Sequence, residues 1–228
     1  MRGRTDPWDV RGWDTGRVTA RRPEPAPLEG RYIRLEPLTP ELLPELARAI
    51  RKPEVFAGGY GGGPAGLPHS DEAFAEWGVG YYQFGVGNPY AVRLRGGPAD
   101  GRLVGTTTLG DFEERLERTH IGWTGYDPAV WSTAVNPEAK LLLLRLAFDS
   151  GFGRVKLQAD ALNARSRAAI ARLGATFEGV LRRHRIRADG WGDTAVFSVL
   201  EDEWPAVRAG LEARLDAFGG VPVTPRQG

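Results

Sequence analysis

The chain of 228 residues has no cysteine, so disulfides, thiolate metal clusters and cysteine nucleophiles are excluded. Histidine is scarce: His69, His120 and His184 are too few for a histidine-rich metal centre, and no metal is expected. Long apolar runs are missing too. The strongest, Leu141 to Phe148, is broken by Arg145 and falls far short of the roughly 20 residues that span a bilayer. Neither sign of charge dominates, since 30 Lys and Arg against 29 Asp and Glu give a net +1. The chain as a whole is therefore not a polyanion binder, although a local basic patch is allowed. The start MRGRTDPWDVRGWDTGR is basic but has no apolar segment behind it, so it does not read as a secretory signal. A soluble, cytoplasmic protein with no membrane partner is expected.

A 41% hydrophobic content over this length supports one generous core. Residues 1–27 carry no periodic apolar face and predict a flexible arm, with Trp8 and Trp13 as docking candidates. Residues 28–218 predict the folded domain, and 219–228 a flexible tail. Arg31 to Glu36 alternates as a strand. Thr39 is placed to cap a helix with Pro40 in its first turn and Leu42, Leu43, Leu46 and Ile50 as its stripe. The segment 57–66, AGGYGGGPAG, reads as a linker or a loop over a pocket. Ser70 opens a weak helix bearing Phe74, Trp77 and Tyr81.

Three strands follow, at 90–94, 103–109 and 119–126, in an antiparallel meander. Asn136-Pro137-Glu138 predicts a helix start, and Gly151 and Gly153 its end. A strand at 154–159, a helix at 163–172, a hairpin of 175–187 with 194–200 around Asp189-Gly190, and a helix at 203–217 complete the order. Alternation without two separate cores predicts a single α/β domain with a mixed sheet. No dinucleotide or nucleotide-triphosphate glycine motif is present.

Two stretches hold candidate chemistry. WSTAVN, residues 131–136, leads into a helix whose free N–H groups and dipole suit a phosphate, with Ser132 and Thr133 as extra donors; ordinary capping is the plainer alternative. NARSRAAIARLGA, residues 163–175, sets Asn163 and Ser166 on one helical face beside Arg165, Arg167 and Arg172.

The pieces VGTTTL at 104–109, IGWTGYDPAVW at 121–131, NPEAKLLLLRLAF at 136–148 and RVKLQADALNARSRAAIARLGATFEG at 154–179 resemble, in order, the acyl-CoA N-acyltransferase (GNAT) superfamily. The likeness is greatest to its branch that acetylates ribosomal-protein N-termini and small amines, the RimJ/RimL-like enzymes. The resemblance implies a single-domain fold with a mixed, mostly antiparallel seven-stranded sheet flanked by helices. It also implies acetyl-CoA as cofactor, lying where strand 119–126 splays from strand 154–160. The pyrophosphate would rest on the loop 132–137, through Ser132, Thr133, Ala134, Val135 and Asn136, and on the start of its helix, with Tyr126, Trp131, Asn163 and Ser166 also at the cofactor. Ala134 stands where the family's loop has a glycine, and Ile170 where many members have an acidic tyrosine. The resemblance therefore gives Ser166 the role of hydrogen-bonding the departing sulfur.

Transfer to an amine needs a neutral nucleophile, hence a base. His120, Asp111, Glu113 and Tyr126 are the candidates, and His120 has the best ordinary pKa. Tyr60, Trp77, Tyr81, Tyr82, His184 and Trp191 are candidates for the acceptor pocket. The expected activity is acetyl transfer from acetyl-CoA to a primary amine of a small molecule or protein N-terminus. A non-catalytic acyl-CoA-binding protein on the same fold is the alternative. Nucleic-acid binding through RRHRIR, 182–187, lacks accompanying aromatic stacking and is disfavoured. A homodimer is the expected assembly.

Overall fold

The computed structural model describes residues 18–187 and 190–226. Trp8, Trp13 and Asp189 lie outside them. Eight strands form one sheet in the order β1-β2-β3-β4-β5-β6-β8-β7. They are β1 (Leu28–Glu29), β2 (Ile33–Pro37), β3 (Asn88–Leu94), β4 (Leu103–Glu113), β5 (Arg118–Tyr126), β6 (Arg154–Asp160), β7 (Thr176–Arg187) and β8 (Gly190–Leu200). Only β5 and β6 pair in parallel. The strand beyond the expected seven is β1, whose two residues are too short to carry a period.

Helices cover both faces. α1 (Leu43–Ile50), α2 (Pro53–Ala57) and α3 (Asp71–Tyr81) pack one core with Phe56, Phe74 and Tyr82. α4 (Val135–Asp149), α5 (Ala164–Ala171) and α6 (Trp204–Asp216) contribute to the other. α4 is buried along most of its length, so its apolar residues surround it instead of forming a stripe.

Several local expectations change. Thr39 makes no side-chain cap, because a 3-10 turn, Pro40–Leu42, precedes α1. Asn136 does not cap α4 either: the helix begins two residues earlier than expected, at Val135, with Ala134 in the cap position. Strand β4 runs on to Glu113 and carries Asp111 with it. Residues 18–27 are docked, not free. Ala20 is buried, and the Arg22 guanidinium donates to Asn88 Oδ1 and to the Gly85 and Gly87 carbonyls. The tail also packs: Val223 is buried and the Arg226 N–H donates to the Ala129 carbonyl.

The middle of the sheet is irregular where it matters. Between the pairs Thr106–Gly125 and Thr108–Gly122, two residues of β5 oppose one of β4. Trp123 takes φ 48°, a left-handed conformation unusual for a bulky residue. β5 leaves β6 just ahead of this bulge, their pairing stopping at Ile121–Leu157.

The start of α4 is tied to the far side of the sheet by Glu138. Its buried carboxylate accepts the backbone N–H groups of Arg31, Tyr32 and Ile33 at 2.6, 2.7 and 2.8 Å. Gly30 makes room, since a Cβ there would lie 2.4 Å from the carboxyl carbon. Sequence reading treats Glu138 as a first-turn carboxylate serving the helix dipole; the structure gives it a long-range anchoring task as well. Glu138→Ala strands these donors and is expected to cost roughly 3 kcal/mol or more, read as a lowered denaturant midpoint.

Candidate active site

The splay between β5 and β6 opens a cavity of about 500 Å³. Its walls come from Gly122–Tyr126 on one side, Gln158–Asp160 on the other, the loop before α4, the exposed face of α5, and the glycine-rich segment around Tyr60. The backbone of β5 beyond Ile121 has no strand partner on the β6 side, so an extended ligand can pair with it.

His120 enters this cavity from β5 and is 3% exposed. Its Nδ1 lies 3.0 Å from Asp111 Oδ2. Asp111 also accepts from Gln83 Nε2 at 2.9 Å and faces Lys156 Nζ at 3.6 Å. The His120 hydrogen bond, then those neighbours, hold the Asp111 carboxyl well below the usual range against the effect of its burial. An ionised Asp111 requires Nδ1 to carry the proton, which leaves the Nε2 lone pair free. Nε2 is buried and has no partner among the described residues. Burial pulls the imidazole pKa below its ordinary value and the Asp111 bond partly restores it. Gly122 permits this pose, because a Cβ there would sit 2.5 Å from His120 Cε1. Glu113 is elsewhere: it pairs with Arg118 at 2.7 Å on the exposed end of the hairpin and does not line the cavity.

At the α4 end, the backbone N–H groups of Ser132, Thr133, Ala134 and Asn136 have no acceptor among the described residues. Trp131, Ser132, Thr133 and Asn136 line the cavity; Ala134 and Val135 are buried behind them. Alanine at 134 causes no strain, since it sits at φ −65°, ψ −15°, and the left-handed turn falls on Ser132 at φ 64°. Arg165 from α5 stacks on Trp131, its guanidinium carbon 3.3 Å from the ring centre. Arg172 and Arg214 stand close enough for the first to depress the pKa of the second, after the larger effect of burial. Arg214 Nη1 is buried and unpartnered among the described residues. Free N–H groups, unpaired guanidiniums and an open strand edge fit the phosphates and amide arm of a coenzyme A thioester. Arg214 was not legible in advance, because α6 lies far along the chain.

Asn163 has its side chain already engaged. Oδ1 accepts the Ser166 N–H at 2.9 Å, capping α5, and Nδ2 donates to the Gly58 carbonyl at 2.6 Å. The Ser166 hydroxyl lines the cavity without a hydrogen bond among the described residues. Tyr126 lines it too, its hydroxyl buried and its carbonyl taken by Trp131 Nε1. On the opposite side, Tyr60, Tyr81 and Trp123 form an aromatic wall. Tyr82 stands behind, its hydroxyl 2.5 Å from that of Tyr60, and Trp77 stacks on Tyr81. Burial raises all three phenol pKa values, so these tyrosines stay protonated. His184 and Trp191 do not reach the cavity; His184 bonds Thr194 and Trp191 is exposed.

Lys140 escaped the sequence reading altogether. It projects from α4 into the cavity floor, 5% exposed, with Nζ 3.0 Å from Thr107 Oγ1 and 2.8 Å from Thr124 Oγ1. No carboxylate pairs with it among the described residues. Burial pulls its pKa down to about 7. The warning in sequence was a lysine directly against the run of four leucines at 141–144.

An acetyltransferase (GNAT) domain profile matches residues 33–176. The chain belongs to the GNAT acetyltransferase family. A protein from T. thermophilus assigned as an acetyltransferase is 36% identical, with 85% of this chain and 98% of that one covered and a TM-score of 0.74. A GCN5-related N-acetyltransferase from Brucella melitensis is 27% identical over 95% and 97% of the two chains, with a TM-score of 0.79. Mycobacterium smegmatis RimJ, solved in complex with CoA-disulfide, shares the fold at 19% identity, over 84% and 91% of the chains, with a TM-score of 0.64. No curated protein matches significantly by sequence. As a GNAT member, this protein is an acetyl-CoA-dependent N-acetyltransferase. Among the described residues no helix is long and apolar enough to cross a membrane, and no three metal-ligating side chains cluster.

Between pH 7 and the ordinary lysine range near 10, the unfolded GNAT chain binds a proton at position 140 that the folded chain lacks. Stability therefore climbs as pH rises through that window and is flat in this respect below it. Lys140→Met is expected to unfold at higher temperature at pH 7 and to lose the alkaline rise, as followed by thermal melts across pH.

Proposed function

We propose that this GNAT enzyme acetylates a primary amine, on a small molecule or a protein N-terminus, with His120 as general base. The Asp111–His120 pair, with Nε2 buried and free inside the cavity, carries the reading. When bound, acetyl-CoA supplies an acetyl group activated as a thioester. The N–H groups of Ser132, Thr133, Ala134 and Asn136 and the guanidiniums of Arg172 and Arg214 would hold its phosphates. Trp131, Tyr126, Asn163 and the open edge of β5 would hold the arm. His120 Nε2 takes the proton of the acceptor amine, Asp111 stabilises the imidazolium that results, and the Ser166 hydroxyl donates a hydrogen bond to the sulfur as charge gathers there. Ile170 is buried at the base of α5 and offers no proton, consistent with Ser166 in that role. The likeness to the RimJ/RimL branch supports an amine acceptor of this kind. Exposed Phe177, Val180 and Leu181 on the edge strand β7 support pairing with a second copy.

A non-catalytic acyl-CoA-binding role would leave the buried His120, oriented by Asp111, without a purpose. Calorimetric titration with acetyl-CoA, followed by thiol release against an amine panel, separates the two: binding with amine-dependent release is expected, and binding without release across the panel favours the non-catalytic role.

His120→Gln should lower kcat/KM by roughly a hundredfold to ten-thousandfold with acetyl-CoA affinity retained. In the native enzyme the acid limb of kcat/KM should fall below the ordinary imidazole value of about 6.5, because burial favours the neutral ring. Asp111→Asn removes the contact that restores its basicity, so the limb should move to still lower pH while the maximum drops.

A further inference from the structure

Charge around the cavity is lopsided. Lys140, Arg165, Arg172, Arg185 and Arg214 line it, whereas its one carboxylate among the described residues, Asp160, is bound by Arg187. Arg165, Arg172 and Arg214 lie with α5, α6 and the loop before α4, where coenzyme phosphates are accounted for. Arg185 does not. It comes from β7 at the end of the irregularity between Leu181 and Arg185 and lines the cavity. Its guanidinium approaches the Gly59 carbonyl at 3.4 Å and lies near enough to Tyr81 for its charge to oppose the rise that burial gives that phenol. It is half-buried, and no carboxylate lies within ion-pair distance among the described residues. A guanidinium withdrawn from water without an anion is costly, and a carboxylate meets its paired donors in a planar fork.

We propose that the acceptor is an amine that also bears a carboxylate, of the amino-acid class, with Arg185 holding the carboxylate and Tyr60, Tyr81 and Trp123 enclosing the body between the two groups. The inference rests on the transferase reading. The amine nitrogen forms a bond to the acetyl carbon, the carbon–sulfur bond breaks, the amine proton passes to His120 Nε2, and sulfur departs with the bonding pair as the coenzyme thiol once protonated. Polycationic amines meet five cations and a single carboxylate already paired with Arg187, and are rejected.

The test measures thiol release with free L-amino acids, the same amino acids as carboxamides, and the matching amines without the carboxyl group, with spermidine as a polycation. Acetyl-CoA binding is measured in parallel by calorimetry. The expected result is a preference of about tenfold or more in kcat/KM for a free acid over its amide. Arg185→Gln should erase it mainly through KM, and Arg185→Lys should keep part of it. Preference for the amide, the simple amine or spermidine overturns the proposal, as does an Arg185→Gln effect equal on acid and amide. Acetyl-CoA binding with no turnover of any acceptor overturns the amino-acid class while the cofactor reading stands. Failure to bind acetyl-CoA overturns both.

Discussion

The site exists because Trp123 adopts a left-handed backbone. A bulky residue at φ 48° is strained by roughly 1–3 kcal/mol, and the neighbouring strands hold it there. The extra residue redirects β5, and the parallel pair of β5 and β6 comes apart after four matched residues. Every functional element then faces the resulting gap: the dyad at the point of separation, the helix N-terminus at the far end, α5 along one wall. A regular strand in this position would have paired with β6 to its end and left a closed sheet.

The two ends of the gap are fixed by different means. At the reacting end, Asp111 sits at φ 49° on the extension of β4, held by Gln83, and directs a neutral imidazole into the gap. At the phosphate end, the Glu138 carboxylate fastens the first turn of α4 to the turn between β1 and β2. The phosphate end uses a buried acid on backbone N–H groups, the reacting end side-chain contacts from Gln83 and Asp111 on the strand framework. That keeps a site built between two diverging strands rigid.

Much of the arrangement was legible. The meander, the cofactor helices and the ordered motifs from 104 to 179 mark the family, and His120 was among the candidate bases, favoured by its ordinary pKa. The choice between His120, Asp111 and Glu113 was not legible, because it depends on β4 continuing past the alternating stretch. That extension sets Asp111 against His120 and sends Glu113 outward to Arg118. Lys140 and Arg214 were hidden for a different reason. Each belongs to a helix read from its bounds alone, and only the packing of α4 and α6 on the sheet shows that these cations point inward. Asn136 failed as a cap because Thr133 and Ala134 already turn the chain, a decision made by φ/ψ choices within the loop.

The strap at 18–27 has a consequence for where the chain can be shortened. A boundary drawn at Leu28, where alternation begins, removes Arg22, whose guanidinium gathers Gly85, Gly87 and Asn88 and lies over Phe112. That loop follows Gln83, and Gln83 is what orients Asp111. The minimal active unit therefore begins ahead of the first strand, and a trimmed version that still folds would carry a loosened proton acceptor.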